Sequence, residues 1–252
     1  MSKRLMLVIV AVFFLAAQVA PLAHAAPPGP DWQPLFNGKD LSGWKVPEGD
    51  GGHWKVVDGV IDYDAQSQAK KDKNLWTERE FGDFVLQIEW RIKETKGPKY
   101  NAPVILPDGS LKKGPDGKPV TTPIDNADSG IFLRGFPKAQ LNIWCWPAGS
   151  GEIWGYRTDA KMPPEVRAGS VPKLRADKPV GQWNKFVITV QGDRVSVELN
   201  GQKVIDCAQL PGLPARGAIG LQHHGGLNPK TGQWAAASSL MQVREIYVKE
   251  LK

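Results

Sequence analysis

The sequence of 252 residues predicts an all-β protein, a sandwich of antiparallel sheets, on three observations. Residues 84–92 alternate apolar and polar side chains, which is the period of a half-buried strand. Short apolar segments recur along the chain between turn residues, as they do in β-sandwiches. No segment has the spacing of a long amphipathic helix, so the core is expected to form between sheets.

The first 25 residues are predicted to be a signal peptide. Lys3 and Arg4 precede an apolar run over residues 5–17, and Ala23-His24-Ala25 is a small-x-small cleavage site. The run is shorter than the roughly 20 apolar residues of a membrane span, so a membrane anchor is the less favoured interpretation. We therefore expect a periplasmic or secreted protein with a flexible leader at residues 26–31, a single domain at residues 32–252, and no later membrane span.

The predicted strands follow one another in hairpins. Residues 54–57 and 59–61 flank a turn at Asp58-Gly59, and Asn200-Gly201 is a strong signal for a later hairpin. Further strands are predicted at residues 84–92, 129–134, 140–146, 186–191, 194–199, 203–205, 217–222 and 240–249. Two long excursions, residues 96–126 and 148–182, interrupt them. Long loops in a compact domain are often binding or lid loops, although the first is equally well explained as a decorative insertion.

Composition and charge exclude several classes of function. Without Lys3 and Arg4 the chain has 30 basic residues (32 less 2) against 26 acidic ones, a net charge of +4 that is spread along the sequence. No dense basic cluster supports a nucleic-acid partner, and no glycine-rich βα motif supports a flavin or nicotinamide cofactor. Two cysteines, Cys145 and Cys207, cannot build a disulfide scaffold, but export leaves open whether they pair with each other.

Several motifs together resemble the 3-keto-disaccharide hydrolase family, formerly a domain of unknown function. The resemblance covers residues 32–251, and it depends on the order of the motifs rather than on any one of them. The matching stretches are Leu35-Phe-Asn-Gly-Lys-Asp-Leu-Ser-Gly-Trp44, Trp54-Lys-Val-Val-Asp-Gly-Val-Ile61, Leu75-Trp-Thr77, Phe81-Gly-Asp-Phe84, Glu89-Trp-Arg91, Asp128-Ser-Gly-Ile-Phe-Leu-Arg134, Trp183-Asn184, Leu199-Asn-Gly201, Gly220-Leu-Gln-His-His-Gly225 and Val243-Arg-Glu-Ile-Tyr-Val-Lys249.

The resemblance implies a concanavalin A-like jelly-roll β-sandwich of two curved antiparallel sheets, with a carbohydrate site on the concave face. It also implies an exported protein that acts on sugars. Some members cleave glycosides whose ring carries a 3-keto group: the ketone acidifies the C2 proton, a base removes it, the C1 substituent leaves and water adds. Some related enzymes use a divalent metal to polarise the ketone, so a metal remains possible here.

This chain departs from the family pattern on one strand. Many members carry Glu-x-Gln-x-x-Asp where this sequence has Gln140, Asn142 and Cys145. Two carboxylates are therefore replaced by groups that are not bases at neutral pH, Cys145 being at most partly one. If those carboxylates perform the chemistry, this protein either binds sugar without cleaving it or uses another base. Cys145 itself is better explained as buried or disulfide-linked than as a nucleophile.

The substrate-binding candidates lie on and after that strand. Gln140, Asn142, Trp144 and Trp146 occupy alternate positions and should point to one face, where amides can bond hydroxyls and indoles can stack on sugar rings. The alternative is that the two tryptophans belong to the core. Further candidates are Arg134, which would hold the sugar, and Tyr156 and Arg157, which follow Glu152 in the sequence.

The candidates for proton transfer are His223 with Glu89, Glu152 or Asp159. The side chains of the adjacent residues His223 and His224 should point to opposite faces. Histidine suits proton transfer near pH 7, and His223 is preferred because the resemblance aligns it with the family motif. The alternatives are a Glu152–Arg157 pair, a structural ion pair at Glu89, a solvated Asp159 and packing of His223 at a sheet edge. The mature chain has only one more histidine, so no metal-ligand set is predicted.

Three functions remain to be distinguished. The first is an exported enzyme that cleaves 3-keto-glycosides, and the second is a non-catalytic glycan-binding module of the same fold. The third is a structural domain of a larger surface assembly. An ordinary retaining glycosidase is a minor possibility, because no Glu-x-Asp-x-x-Glu array is present.

Overall fold

The computed structural model describes residues 26–252, and the predicted signal peptide lies outside them. Within that part of the chain there are fifteen strands and two short helices. The first strands are β1 (Gln33–Pro34), β2 (Trp44–Lys45), β3 (Trp54–Val57), β4 (Val60–Asp64), β5 (Leu75–Phe81), β6 (Phe84–Ile92), β7 (Tyr100–Pro103) and β8 (Thr121–Ile124). They are followed by β9 (Asp128–Leu133), β10 (Phe136–Trp144), α1 (Trp154–Arg157), α2 (Pro164–Gly169), β11 (Asn184–Gln191), β12 (Arg194–Leu199), β13 (Gln202–Gln209), β14 (Gly217–Leu221) and β15 (Leu240–Glu250).

The strands form a jelly-roll sandwich of two antiparallel sheets. The eight-stranded sheet has the order β13-β12-β11-β6-β15-β4-β3, with β1 paired to β15. The five-stranded sheet has the order β10-β9-β14-β5-β2. Strands that are neighbours in a sheet are often far apart in the sequence, because the chain repeatedly crosses from one sheet to the other. The fold class predicted from the sequence is therefore confirmed.

The core lies between the two sheets and follows from the alternation of side chains. In β6, Phe84, Leu86, Ile88, Trp90 and Ile92 are all buried, while the residues between them are half-buried on the outer face. Every second residue of a strand points to the same side, so this single pattern builds one wall of the core. The five-stranded sheet supplies the facing wall through its own inward side chains, among them Leu75, Ile131, Leu133, Leu141, Ile143, Ile219 and Leu221.

The two excursions have structure of their own. The first contains the hairpin β7–β8, which forms a separate two-stranded sheet, and further bridges at Ile105–Leu111 and Lys113–Pro119 extend it. We call residues 100–124 the arm. The second excursion contains α1 and α2, and Ile153 pairs with Leu141 at the outer edge of β10. Both excursions thus lie beside the same edge of the five-stranded sheet.

The two cysteines are not bonded to each other. Cys145 follows β10 and is half-buried, whereas Cys207 lies exposed on β13 at a positive φ of 51°. Burial raises the pKa of the Cys145 thiol, which makes it a poorer nucleophile. A disulfide between them is therefore not a feature of this structure.

Candidate functional site

The face of the five-stranded sheet that points away from the core carries a concentration of polar and aromatic side chains. On β10, Gln140, Asn142 and Trp144 all point to this outer face, as their alternate positions predict. Their partners on β9 are, in the same order, Phe132, Gly130 and Asp128. Trp144 therefore does not belong to the core between the sheets, although only 3% of it is exposed.

Four side chains form a hydrogen-bonded line on this face, which we call the amide row: Gln222, Gln140, Asn142 and Glu152. Gln140 and Gln222 exchange two amide hydrogen bonds, of 2.8 and 3.1 Å. The Gln140 amide also donates to Asn142 Oδ1 at 2.7 Å, and Asn142 Nδ2 donates to Glu152 Oε2 at 2.8 Å. Because the Glu152 carboxylate can only accept, the Asn142 amide must donate to it. This fixes which group is the donor in each of the other hydrogen bonds of the row.

The Glu152 end of the row is closed to solvent. Glu152 is fully buried, and its Oε1 accepts a hydrogen bond from Arg157 Nε. Burial, with a smaller contribution from Arg167, lowers the pKa of Arg157 to about 10. The tip of the arm covers this pair, since a Cβ added at Gly109 would lie 3.2 Å from Arg157 Cγ. The predicted Glu152–Arg157 pair thus exists, but it anchors the row and does not face an open cleft.

Three stacked rings join the arm to the outer face. Trp144 and Trp146 lie nearly parallel with their centroids 4.3 Å apart, and Tyr100 of β7 stacks on Trp146 at 5.6 Å. Trp144 Nε1 donates to the Gly149 carbonyl at 2.6 Å, which fixes its ring. Ring pairs of this kind contribute about 1 kcal/mol beyond the area that they bury. The two tryptophans therefore hold the arm over the sheet.

The other end of the row is open and contains a carboxyl and an imidazole. Asp128 is half-buried, and its Oδ1 is shielded from solvent without a hydrogen-bond partner among residues 26–252. Burial raises the pKa of Asp128 to about 6, although the charge of His224 acts to lower it. His224 is exposed, and its Nδ1 lies 2.6 Å from the Ala237 carbonyl. Since a carbonyl only accepts, Nδ1 carries the hydrogen and Nε2 keeps a lone pair when the ring is neutral.

His223, the histidine preferred from the sequence, lies elsewhere. Its ring packs edge-on against Tyr63 with centroids 5.4 Å apart, and it lines a cleft of about 500 Å³ that also contains His53 and Lys73. Burial, and then the charge of Lys73, lowers the pKa of His223 to about 4. The prediction that His223 shares a site with Glu152 is therefore not met, because the chain turns its neighbour His224 toward the outer face instead.

Arg134 and Tyr156, predicted to bind sugar, are structural. Arg134 is fully buried at a positive φ of 49°, and its guanidinium donates to Asp83 at 2.6 Å and to the carbonyls of Gly82, Gly192 and Pro214. Tyr156 is buried in the core and donates to the Pro211 carbonyl at 3.1 Å. Neither side chain reaches the outer face, because the polar atoms of each form hydrogen bonds with residues of neighbouring loops.

Glu89 and Asp159 are also separated from the amide row. Glu89 points outward from β6 in the eight-stranded sheet, where it accepts a hydrogen bond of 2.8 Å from Arg244. It therefore lies on the opposite surface of the sandwich. Asp159 follows α1 and pairs with Lys138 at 2.6 Å, and this hydrogen bond lowers the pKa of Asp159. Both carboxylates form ion pairs, which was the alternative interpretation for Glu89.

The described residues do not fit a conventional divalent metal centre. Across residues 26–252, no three His, Cys, Asp or Glu side chains converge on one point. Asp128 and His224 supply two donors, whereas zinc sites in proteins use three or four protein ligands. The groups available for proton transfer at this face are therefore side chains.

Four residues of this face are not among the site residues predicted from the sequence: Asp128, Gln222, Trp76 and His224, the last because its neighbour His223 is preferred. Asp128 lies two and four positions before Gly130 and Phe132, so period-two alternation alone assigns it to their face. The same alternation assigns Gln222 to the face of Gly220. The placement of His224 beyond the end of β14 depends on the loop that follows, and no sequence pattern signals it.

The jelly-roll fold and the family model together identify a carbohydrate-active, glycosidase-like protein. The chain belongs to the family of 3-keto-alpha-glucoside-1,2-lyase-like domains, whose model matches residues 31–249. No curated protein sequence matches the chain significantly.

Two of the solved structures with a similar fold illustrate the relationship. Both are candidate glycosyl hydrolases from Parabacteroides distasonis. The first is 22% identical with a TM-score of 0.54, and the match covers 88% of this chain and 84% of that chain. The second is 18% identical with a TM-score of 0.50 and covers 88% and 94%, respectively. At these identities the similarity extends to the fold alone.

One further result concerns membranes. Among residues 26–252, no helix is long and apolar enough to cross a bilayer.

Proposed function

We propose that the chain is an exported enzyme that cleaves 3-keto-glycosides on the outer face of its five-stranded sheet. The observation that carries the proposal is the proximity of Asp128 and His224, which are close enough for the charge of His224 to act on the pKa of Asp128. A carboxyl whose pKa is raised to about 6 lies beside an imidazole with a free lone pair. Carboxyl groups with a pKa displaced in this way occur preferentially at catalytic sites.

His224 is the proposed base. The Ala237 carbonyl holds the Nδ1 hydrogen, so Nε2 is the atom that can take the C2 proton of the sugar. The ketone at C3 accepts the negative charge that develops when this proton leaves. Gln222 is half-buried and keeps one amide N–H outside the amide row, and this N–H can donate to the ketone oxygen.

Asp128 is the proposed acid. Its shielded, unpartnered oxygen disfavours the carboxylate, so the group keeps its proton to an unusually high pH. As the C2–H electrons form the C1=C2 bond, the C1–O bond breaks and Asp128 protonates the departing oxygen. Addition of water across the C1=C2 bond then completes hydrolysis and returns the proton balance to its start.

Gln140 and Asn142 act in this proposal as positioning residues. Both are almost fully buried, and both amide hydrogens of Gln140 are used within the row. They hold Gln222 in one orientation and connect it to the closed Glu152 end. The loss of two family carboxylates on β10 is compatible with catalysis, because Asp128 supplies an acid on the neighbouring strand.

The test compares purified wild type with Asp128→Asn and His224→Gln on a 3-keto-disaccharide and on the unoxidised disaccharide. We expect cleavage of only the oxidised sugar, and a loss of about 100-fold or more in kcat/KM for each variant, as for other acid–base residues. We also expect kcat/KM to fall as pH rises above about 6, because Asp128 then loses its proton. Asp159→Asn is the matched control, since it removes one carboxylate outside this face.

Two outcomes would contradict the assignment. Full turnover by Asp128→Asn would remove Asp128 as the acid, and a pH profile unchanged in that variant would point to another titrating group. Equal cleavage of both disaccharides would contradict dependence on the ketone. Mass spectrometry of the products measures turnover by the variant, its pH profile and the preference for the oxidised disaccharide.

A glycan-binding module is the second candidate, and the closed amide row favours it. Gln140, Asn142 and Glu152 satisfy one another and present little surface, as in a site that is rigid rather than reactive. This alternative predicts saturable binding of the sugar by wild type and by Asp128→Asn alike, with no bond cleavage by either. Calorimetric titration together with the product assay distinguishes the two functions.

A further inference from the structure

A groove of about 700 Å³ continues the outer face beyond the open end of the amide row. Lys45 and Trp76 connect the two, because they are partners across β2 and β5 and share the outer face with Gly220 of β14. The groove is lined by residues 45–49, by Gln68, Lys70, Lys71, Asp72 and Asn74, and by Trp76. A sugar chain bound at Asp128 and His224 therefore has a direct path into it.

The indole of Trp76 forms a fixed, flat floor. A Cβ added at Gly220 would lie only 2.6 Å from this ring, so the absence of a side chain there lets the indole lie against the backbone of β14. Phe132 stacks beside it with centroids 5.2 Å apart. Trp76 Nε1 donates to Asp72 Oδ2 at 2.6 Å, which sets the rotation of the ring. The remaining surface of the indole is a platform for the apolar face of a sugar.

Three lysines at the groove carry unpaired positive charge. Lys45, Lys70 and Lys71 are exposed, and none of their ammonium groups has a carboxylate within 4.0 Å among residues 26–252. Of the two carboxylates that line the groove, Asp72 is already bound by Trp76 and Asn74. Both of these donors are neutral, so three ammonium groups face two carboxylates, Glu48 and Asp72, and the groove keeps a net positive charge. The groove thus combines an aromatic floor with an excess of cationic donors.

We propose that this groove is a subsite for a negatively charged sugar residue, a uronate or a sulfated sugar, linked to the sugar at Asp128 and His224. This inference rests on the proposed function for the location of the first sugar. The indole would stack on the pyranose ring while the ammonium groups bind the carboxylate or sulfate through charge-assisted hydrogen bonds. The preferred substrate class is then an acidic glycoside rather than a neutral one.

The experiment measures binding to three probes by calorimetric titration: a glucuronic acid-containing disaccharide, a sulfated disaccharide and cellobiose. The proteins are wild type, Lys70→Gln/Lys71→Gln and Lys112→Gln/Lys113→Gln. The last is a matched control, because it removes the same charge from two adjacent exposed lysines of the arm that do not line the groove. We expect wild type to bind an acidic probe at least 10-fold more tightly than cellobiose, and salt to reduce this preference.

The groove variant should lose at least 10-fold in affinity for the acidic probe and less than 2-fold for cellobiose, while the control variant keeps both affinities. Comparison of the uronate with the sulfate identifies the source of the charge. Equal affinity of wild type for all three probes, or an equal loss in the control variant, would overturn the subsite but leave the proposed function intact. Absence of binding to every probe would also overturn the subsite, while the proposed function would still be decided by cleavage of the 3-keto-disaccharide.

Discussion

His223 is half-buried and lines a cleft, and its shielded Nδ1 has no hydrogen-bond partner among residues 26–252. Burial and the nearby Lys73 lower its pKa to about 4, from an ordinary value of 6.5. Asp50 has a buried, unpartnered Oδ1 of its own, and its charge favours protonation of His223 only as a weaker effect. A proton on His223 is therefore destabilising in the folded protein.

This burial predicts a loss of stability in acid. Between pH 6.5 and about 4 the unfolded chain binds a proton at this position that the folded protein does not bind, so the free energy of unfolding falls as pH falls through that window. In His223→Gln this contribution is absent. We expect the Tm of the variant to approach or exceed that of wild type as pH decreases from 7.5 to 4.

Thermal unfolding of both proteins across that pH range checks the prediction. The other titrating groups are shared, so the difference in Tm isolates His223. A difference that stays constant with pH would show that His223 does not change its charge in this window.

Among single residues, the sequence identifies chemical types better than their environments. Arg134 and Glu89 look suited to sugar binding and catalysis by type. Yet Arg134 is enclosed by three backbone carbonyls and Asp83, and Glu89 pairs with Arg244 from another strand. These partners lie between 51 and 155 residues away along the chain. No local sequence pattern predicts such contacts.

At the level of elements, the arm depends on a small number of aromatic contacts. Tyr100, Trp146 and Trp144 form one continuous stack between β7 and the outer face. The central ring makes both contacts, so its removal should release the arm from this point while leaving the sandwich core intact. The contacts of Gly109 at the tip with Arg157 and Arg167 would remain.

We accordingly predict that Trp146→Ala increases hydrogen exchange of backbone amides in residues 100–124 but not in β6. Two stacking contacts are lost, which corresponds to about 1–3 kcal/mol of local stability and up to roughly 100-fold faster local opening. Trp183→Ala is a matched control, because Trp183 packs against Arg91 and Arg244 of the other sheet. Unchanged exchange in the arm, or equal changes in both variants, would show that the stack does not hold it.

Strands were predicted well where alternation or a hairpin turn marks them. β6 has the predicted bounds, and β3–β4 turn at Asp58-Gly59 as expected. The strands β7 and β8 were missed, because the arm is rich in proline, glycine and charged residues. Local sequence patterns also do not predict which of the two sheets each strand joins. That is why Glu89 was grouped with residues of the five-stranded sheet.

For the molecule as a whole, stability comes from the core between the sheets and not from a covalent bridge. Cys145 and Cys207 are unbonded and belong to segments of different sheets. We therefore predict the same Tm with and without a thiol reductant, and a loss below about 1 kcal/mol in Cys207→Ser, as for other exposed positions. Differential scanning calorimetry of wild type and the variant, after oxidation in air and after reduction, measures both. A Tm that drops on reduction only in wild type would reveal a bridge.

The two-residue strand β1 lies against the last strand of the fold. Gln33 of β1 pairs with Val248 of β15, and Asp31 accepts a hydrogen bond of 2.9 Å from Lys249. The beginning and end of the domain therefore lie side by side, on the sheet opposite to Asp128 and His224. A peptide of a few residues can join them into a ring without moving a strand, and the chain can then be opened at an exposed hairpin such as Gly192-Asp193. A circularly permuted protein with the same outer face of the five-stranded sheet is thus compatible with this topology.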